Sequence, residues 1–240
     1  MRPPYCARLQ SSFCVRKMKK LSQAKLLAEW LREIGVDFVS LPDKKNEKLS
    51  DPAGAETLDD IRQGLAKCGN CALRETRKTI VFGTGNPDAQ LMFIGEGPGA
   101  EEDKKGEPFV GAAGKRLDLW IKFIGLKRED VYIANIVKCR PPGNRPPNLE
   151  EARLCMPYLV RQIKAVRPQL ICTLGLSALN YMLGLDERMT KVRGIWHEWN
   201  GIPLLPTYHP AFILRKPPKE EEVFEDLKKL ASRFSLLGRK

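Results

Sequence analysis

From residue 79 onward the chain changes rhythm. Short, unbroken apolar runs at Ile80–Phe82, Leu91–Gly95, Val131–Val137, Leu170–Leu174 and Ile202–Tyr208 alternate with stretches at helical spacing near 112–124, 149–165, 176–183 and 220–234. A strand with one wet face alternates apolar and polar residues; these runs do not. They suit strands covered on both faces, with helices as the crossovers. The predicted fold class is α/β: a three-layer αβα sandwich around a short, mostly parallel central sheet. The segments that follow the strands at 91–95, 131–137 and 202–208 would then meet at the carboxyl end of the sheet, where open α/β folds bind ligands.

Upstream of this rhythm the chain is differently built. A helix is expected to begin behind Thr57, a suitable N-cap, with Asp59 and Asp60 in its first turn. Ser22–Ile34 also reads as a helix, with Leu26, Leu27, Trp30, Leu31 and Ile34 on one side and Gly35 as its stop. Residues 36–56 turn polar, carry Pro42, Pro52 and Gly54, and read as a linker. The expected division is therefore an arm, helix and linker over 1–56 and one domain over 57–240. The 41 Lys and Arg exceed the 29 Asp and Glu by 12, and half of that excess lies in residues 1–20, which hold six basic residues and no acid. A basic balance favours an anionic partner such as nucleic acid. No apolar run approaches the ~20 residues that span a bilayer, so no membrane role is expected. The first 20 residues lack an apolar core followed by a small-residue cleavage site. Met18 is a candidate for the true start, and the expected location is cytoplasmic.

A reducing compartment makes clustered cysteines metal ligands before it makes them disulfides. Of the seven cysteines, Cys68 and Cys71 form a C-x-x-C pair, and Cys139 and Cys155 follow with 15 residues between them. Four thiolates suit a structural zinc or an iron–sulfur cluster, and spacing alone favours zinc slightly. Alternatively only the tight pair binds and the other two are small core residues. Cys172, inside an apolar run, reads as core, and Cys6 and Cys14 fall in the arm.

The segment Gly95–Gly114, GEGPGAEEDKKGEPFVGAAG, leaves a strand and enters a helix. It is not a dinucleotide loop: the glycine spacing is wrong, and Glu101, Glu102 and Asp103 would repel a pyrophosphate. It suits a compact neutral ligand, with Phe109 available either to stack on it or to fill the core. The chain has two histidines. His197, between Trp196 and Glu198, reads as structural. His209 follows an apolar strand and opens HPAFILR, whose Pro210 pre-sets a turn; it is either a satisfied loop residue or part of a strand-end site.

Together these features resemble the type 4 uracil-DNA glycosylases, the iron–sulfur branch of the uracil-DNA glycosylase superfamily. The resemblance covers roughly residues 57–230. It rests on GEGPGAEEDKKGEPFVG, on IANIVKCRPPGNRPP from Ile133 to Pro147, on HPAFILR, and on the cysteine spacing. It implies a four-iron four-sulfur (4Fe-4S) cluster on Cys68, Cys71, Cys139 and Cys155, which reverses the preference for zinc. It also implies a base-excision repair enzyme that hydrolyses the N-glycosidic bond of deoxyuridine, releases uracil and leaves an abasic site. The substrate would be uracil-containing DNA, single- or double-stranded, and the protein a monomer.

The resemblance assigns roles residue by residue. Gly95, Glu96 and Gly97 would line the uracil site, with Phe109 stacking on the flipped base and Asn135 reading its edge. Glu102 would exclude the thymine methyl. His209 would donate to uracil O2 as the bond breaks, with backbone N–H groups near Gly97 assisting. The best-known superfamily members carry a water-orienting aspartate where this chain has Gly97, so Glu96 is the nearest carboxylate for that role or for supporting the sugar cation, unless it only braces the loop. Leu214 would wedge the vacated stack, with Arg215 on a phosphate. The competing readings are a non-catalytic module that binds damaged DNA and a zinc enzyme acting on small nucleotides.

Overall fold

The structure, a computed structural model, describes residues 56–238. The helix expected over Ser22–Ile34, the linker and the arm with Cys6 and Cys14 lie outside the described residues.

The first described helix, α1 (Leu58–Ala66), starts as expected. The Thr57 side chain accepts from Asp60 N, and the Asp60 carboxylate accepts in return from Thr57 N at 2.9 Å. Six strands follow: β1 (Thr84–Gly85), β2 (Leu91–Gly95), β3 (Tyr132–Asn135), β4 (Leu170–Leu174), β5 (His197–Trp199) and β6 (Ile202–Thr207). They form one sheet in the order β1-β3-β2-β4-β6-β5. The inner four strands are parallel, and the two short edge strands pair antiparallel.

Every residue of β2, β3 and β4 is buried, as strands between two helical layers require. On one face Met92, Ile94 and Ile171 pack with α4 (Leu149–Val166) and α5 (Leu176–Leu183). On the other, Leu91, Phe93 and Cys172 pack with α3 (Ala112–Phe123) and α8 (Glu220–Leu237). The period of two along each strand thus feeds two cores, and the layered α/β expectation holds. Three short helices, α2 (Ala100–Lys105), α6 (Met189–Val192) and α7 (Pro210–Arg215), sit in the connections.

Two elements differ from the sequence reading. Ile80–Phe82 is not a strand: Ile80 and Phe82 pack with Ile61 and Leu65 of α1, and Val81 N makes one ladder-like bond, to Lys138 O at 2.8 Å. The apolar run serves a helix instead of the sheet, and Gly83 (φ 142°) turns the chain into the two-residue β1. The amphipathic stretch around His197 is β5, joined to β6 through Asn200 and Gly201, both left-handed (φ 47° and 79°). Asn-Gly is the standard signature of such a hairpin, so this strand was legible.

Candidate active site

The strands deliver their last residues side by side: Gly95 lies opposite Asn135, and Leu174 opposite Thr207. Beyond them opens a cavity of about 590 Å³. Glu96, Gly97, Glu102, Phe109, Asn135, His209 and Arg215, all singled out from sequence, line it together. Leu214 does not; it stands on α7, 40% exposed. Gly95, the buried last residue of β2, is not among the lining residues. A Cβ there would lie 2.4 Å from Asn135 Oδ1 and 2.6 Å from Phe109 Cζ, so any side chain would displace one of them.

Phe109 is held in an unusual way. Its backbone is left-handed (φ 53°), which is costly for a bulky residue and persists only under external constraint. Glu102 supplies that constraint. One carboxylate oxygen accepts from Val110 N and Gly111 N, both at 2.9 Å, and the other from Gly99 N at 3.1 Å. Gly114 completes it, since a Cβ there would fall 1.8 Å from the Phe109 carbonyl oxygen. The ring sits 5.6 Å from the His209 imidazole, tilted by 33°. Glu102 therefore faces the cavity as a fixed wall, with both oxygens committed to the loop.

His209 is the N-cap of α7, with Pro210 at the first helical position. Its Nδ1 accepts from Ala211 N at 3.1 Å, which places the proton of the neutral ring on Nε2. Burial, helped by the Arg215 charge and opposed by Glu102, pushes its pKa down to about 4. A histidine shifted downward is neutral above the folded value. Its contribution to stability is complete above the ordinary value of 6.5 and is lost as pH falls from there towards 4. NMR titration of the free protein should accordingly show no protonation of His209 between pH 8 and 5.5; a midpoint near 6.5 would contradict the downward shift.

Asn135 is 1% exposed, and its Oδ1 has no hydrogen-bond partner. A buried acceptor left open costs about 1–3 kcal/mol, so this atom points to a ligand that donates. At Gly97, an added Cβ would lie 2.8 Å from Cγ2 of the buried Val137. The site is thus shaped for glycine there, and Glu96 is the carboxylate beside it. Arg145, missed from sequence, also lines the cavity, held by a bidentate pair with Glu151 at 2.8 and 2.6 Å. Its signal was the basic, proline-bounded string between Cys139 and Cys155.

Cys68, Cys71, Cys139 and Cys155 line a second, narrow cavity, which shares no lining residue with the first. Arg77 donates to Cys139 Sγ at 3.2 Å and to the Cys68 carbonyl at 2.8 Å, and Lys138 N donates to Cys155 Sγ at 3.3 Å. Burial raises the Cys71 and Cys139 thiols and pushes Cys155 up to about 12. Among the described residues no set of three or more His, Cys, Asp or Glu is drawn together as a single-ion site. Four soft donors around one cavity, with Arg77 donating to one of them, are a donor set that suits a thiolate-bound metal centre. Cys172 is core, as expected.

A parallel sheet whose carboxyl edge offers an aromatic face, an open acceptor and a neutral imidazole defines a receptor for a flat, polar heterocycle. A family model described as the uracil DNA glycosylase superfamily matches residues 82–229. The type-4 uracil-DNA glycosylase of Archaeoglobus fulgidus is 44% identical over 193 residues, covering 77% of this chain and 96% of that protein. That of Saccharolobus solfataricus is 46% identical over 189 residues, covering 75% and 88%, and that of Thermotoga maritima 43% over 181, covering 74% and 94%. The chain belongs to the uracil-DNA glycosylase superfamily, and within it to the type-4 family.

Proposed function

We propose that this protein excises uracil from DNA by hydrolysing the N-glycosidic bond of deoxyuridine, leaving an abasic site. The observation that carries this reading is the unpartnered Oδ1 of buried Asn135 beside the Phe109 ring. Uracil must leave the stack to be reached. Once flipped, it would lie on Phe109, donate N3–H to Asn135 Oδ1 and accept at O4 from the same amide. Cytosine, with an acceptor at N3 and a donor at N4, reverses both demands. Bond cleavage leaves negative charge on uracil O2, which His209 Nε2–H would stabilise without giving up its proton. Glu96 would face the sugar, where positive charge develops. None of the cavity-lining residues is a lysine, which favours simple hydrolysis over Schiff-base strand cleavage. Glu102, fixed by the loop amides, is proposed to close the space at uracil C5 to a methyl group. Arg215 and Arg145 at the cavity would meet phosphates, and Leu214, exposed at the end of α7, would fill the vacated stack.

Cys68, Cys71, Cys139 and Cys155 would hold the 4Fe-4S cluster, which when bound supplies cross-links between the end of α1, the segment beyond β3, and α4. Cys139→Ala should lose iron and the absorption near 400 nm, melt lower and bind DNA more weakly. A wild-type enzyme that stops working on a change of cluster oxidation state alone, with its fold intact, would contradict a structural role. The function itself is tested with uracil-containing oligonucleotides, alkaline cleavage and a gel. Cleavage at the uracil position is expected, and an intact strand with no free uracil would overturn the proposal in favour of a non-catalytic reader.

A further inference from the structure

Lys138 is wholly buried, and nothing in the proposed chemistry uses it. It lines the cysteine cavity and not the cavity at the sheet edge. All its polar groups are engaged. Its backbone N donates to Cys155 Sγ at 3.3 Å, its carbonyl accepts from Val81 N at 2.8 Å, and its ammonium donates to the Asn135 carbonyl at 2.8 Å. A charge is kept in a protein interior only where opposite charge and acceptors meet it. Here the sulfurs of Cys139 and Cys155, which would carry charge with the anionic cluster they would hold, stand on one side. The carbonyl of Asn135 stands on the other. Asn135 is the last residue of β3, and beyond it the chain departs along Ile136 N–Gly95 O at 2.9 Å. The ammonium thus fixes the peptide plane from which the Asn135 side chain projects.

We infer that Lys138 is a positioning residue that ties the cysteine shell to Asn135 and so sets the orientation of the amide that reads uracil. This rests on the proposal that Asn135 is that reader. The test uses the full-length, iron-loaded protein carrying Lys138→Met, alone and combined with Asn135→Ala. Three quantities are read: iron per chain, affinity for free uracil by calorimetry, and the single-turnover excision rate. Lys138→Met should keep its iron and lose about tenfold in both uracil affinity and rate, as expected for one buried hydrogen bond. In the Asn135→Ala background the same change should cost less than about twofold, because the two residues act as one unit. Should Lys138→Met fold poorly, Lys138→Leu, which likewise removes the donor, serves in its place. An equal loss in both backgrounds, an unchanged uracil affinity, or loss of iron in both variants would overturn the inference. A wild-type rate in Asn135→Ala alone would instead overturn the reading of the pocket.

Discussion

His209→Ala should slow single-turnover uracil excision by about 10²–10³-fold, the usual cost of removing one donor from a developing oxyanion. The expectation follows from the ring's surroundings. Its Nδ1 is occupied by the Ala211 amide, so only Nε2–H remains to donate, and the low pKa keeps that proton in place at neutral pH. Affinity for duplex DNA should change far less, since phosphate contacts dominate that quantity. His209→Gln separates donor from brace, because an amide can donate from a similar place without capping α7 in the same way. If His209 only braced the loop, affinity and rate would fall together. A His209→Ala enzyme within about threefold of wild type would remove the residue from the mechanism.

The second large effect is expected at Asn135. Removing the amide with Asn135→Ala should cost about 10–10²-fold in excision, from one or two hydrogen bonds to a desolvated base. Asn135→Asp should do something more specific. A carboxylate keeps the acceptors but has lost the donor that uracil O4 requires, while cytosine N4–H₂ now finds an acceptor. Uracil excision should fall and the discrimination against cytosine should narrow, measured as the ratio of single-turnover rates on matched oligonucleotides. Wild-type uracil cleavage by Asn135→Ala would mean that the base binds elsewhere.

How far the sequence carried is clearest at particular residues. Leu91–Gly95 and Leu170–Leu174 announced buried strands because helices cover both of their faces, and the pattern of a doubly covered strand is local. Ile80–Phe82 carried the same pattern for a different reason, since a run of three apolar residues cannot say whether a helix or a strand will cover it. Phe109, Asn135 and His209 were legible as types in motifs; strand order brings Asn135 and His209 to one edge, and the connection between α2 and α3 carries Phe109 there. The left-handed backbone of Phe109 and the three amides on Glu102 were not legible, because they depend on the path of a loop closing on itself. Lys138 is the extreme case. A lysine beside a cysteine reads as a solvated charge, and only the fold shows it without any exposure.

The pairing of Gly95 with Asn135 across the β2–β3 ladder has a consequence for the durability of the pocket. Neighbouring strands lie about 4.7–4.9 Å apart wherever they pair, so the backbone offset between Gly95 and Asn135 is a lattice constant of the sheet. Local fraying, which loosens loop-built sites long before a protein melts, would leave that dimension untouched. Hydrogen exchange at the amides of β2 and β3 should therefore proceed only through global opening. The gauge against which a base is measured would then persist, undiminished, up to the melting temperature itself.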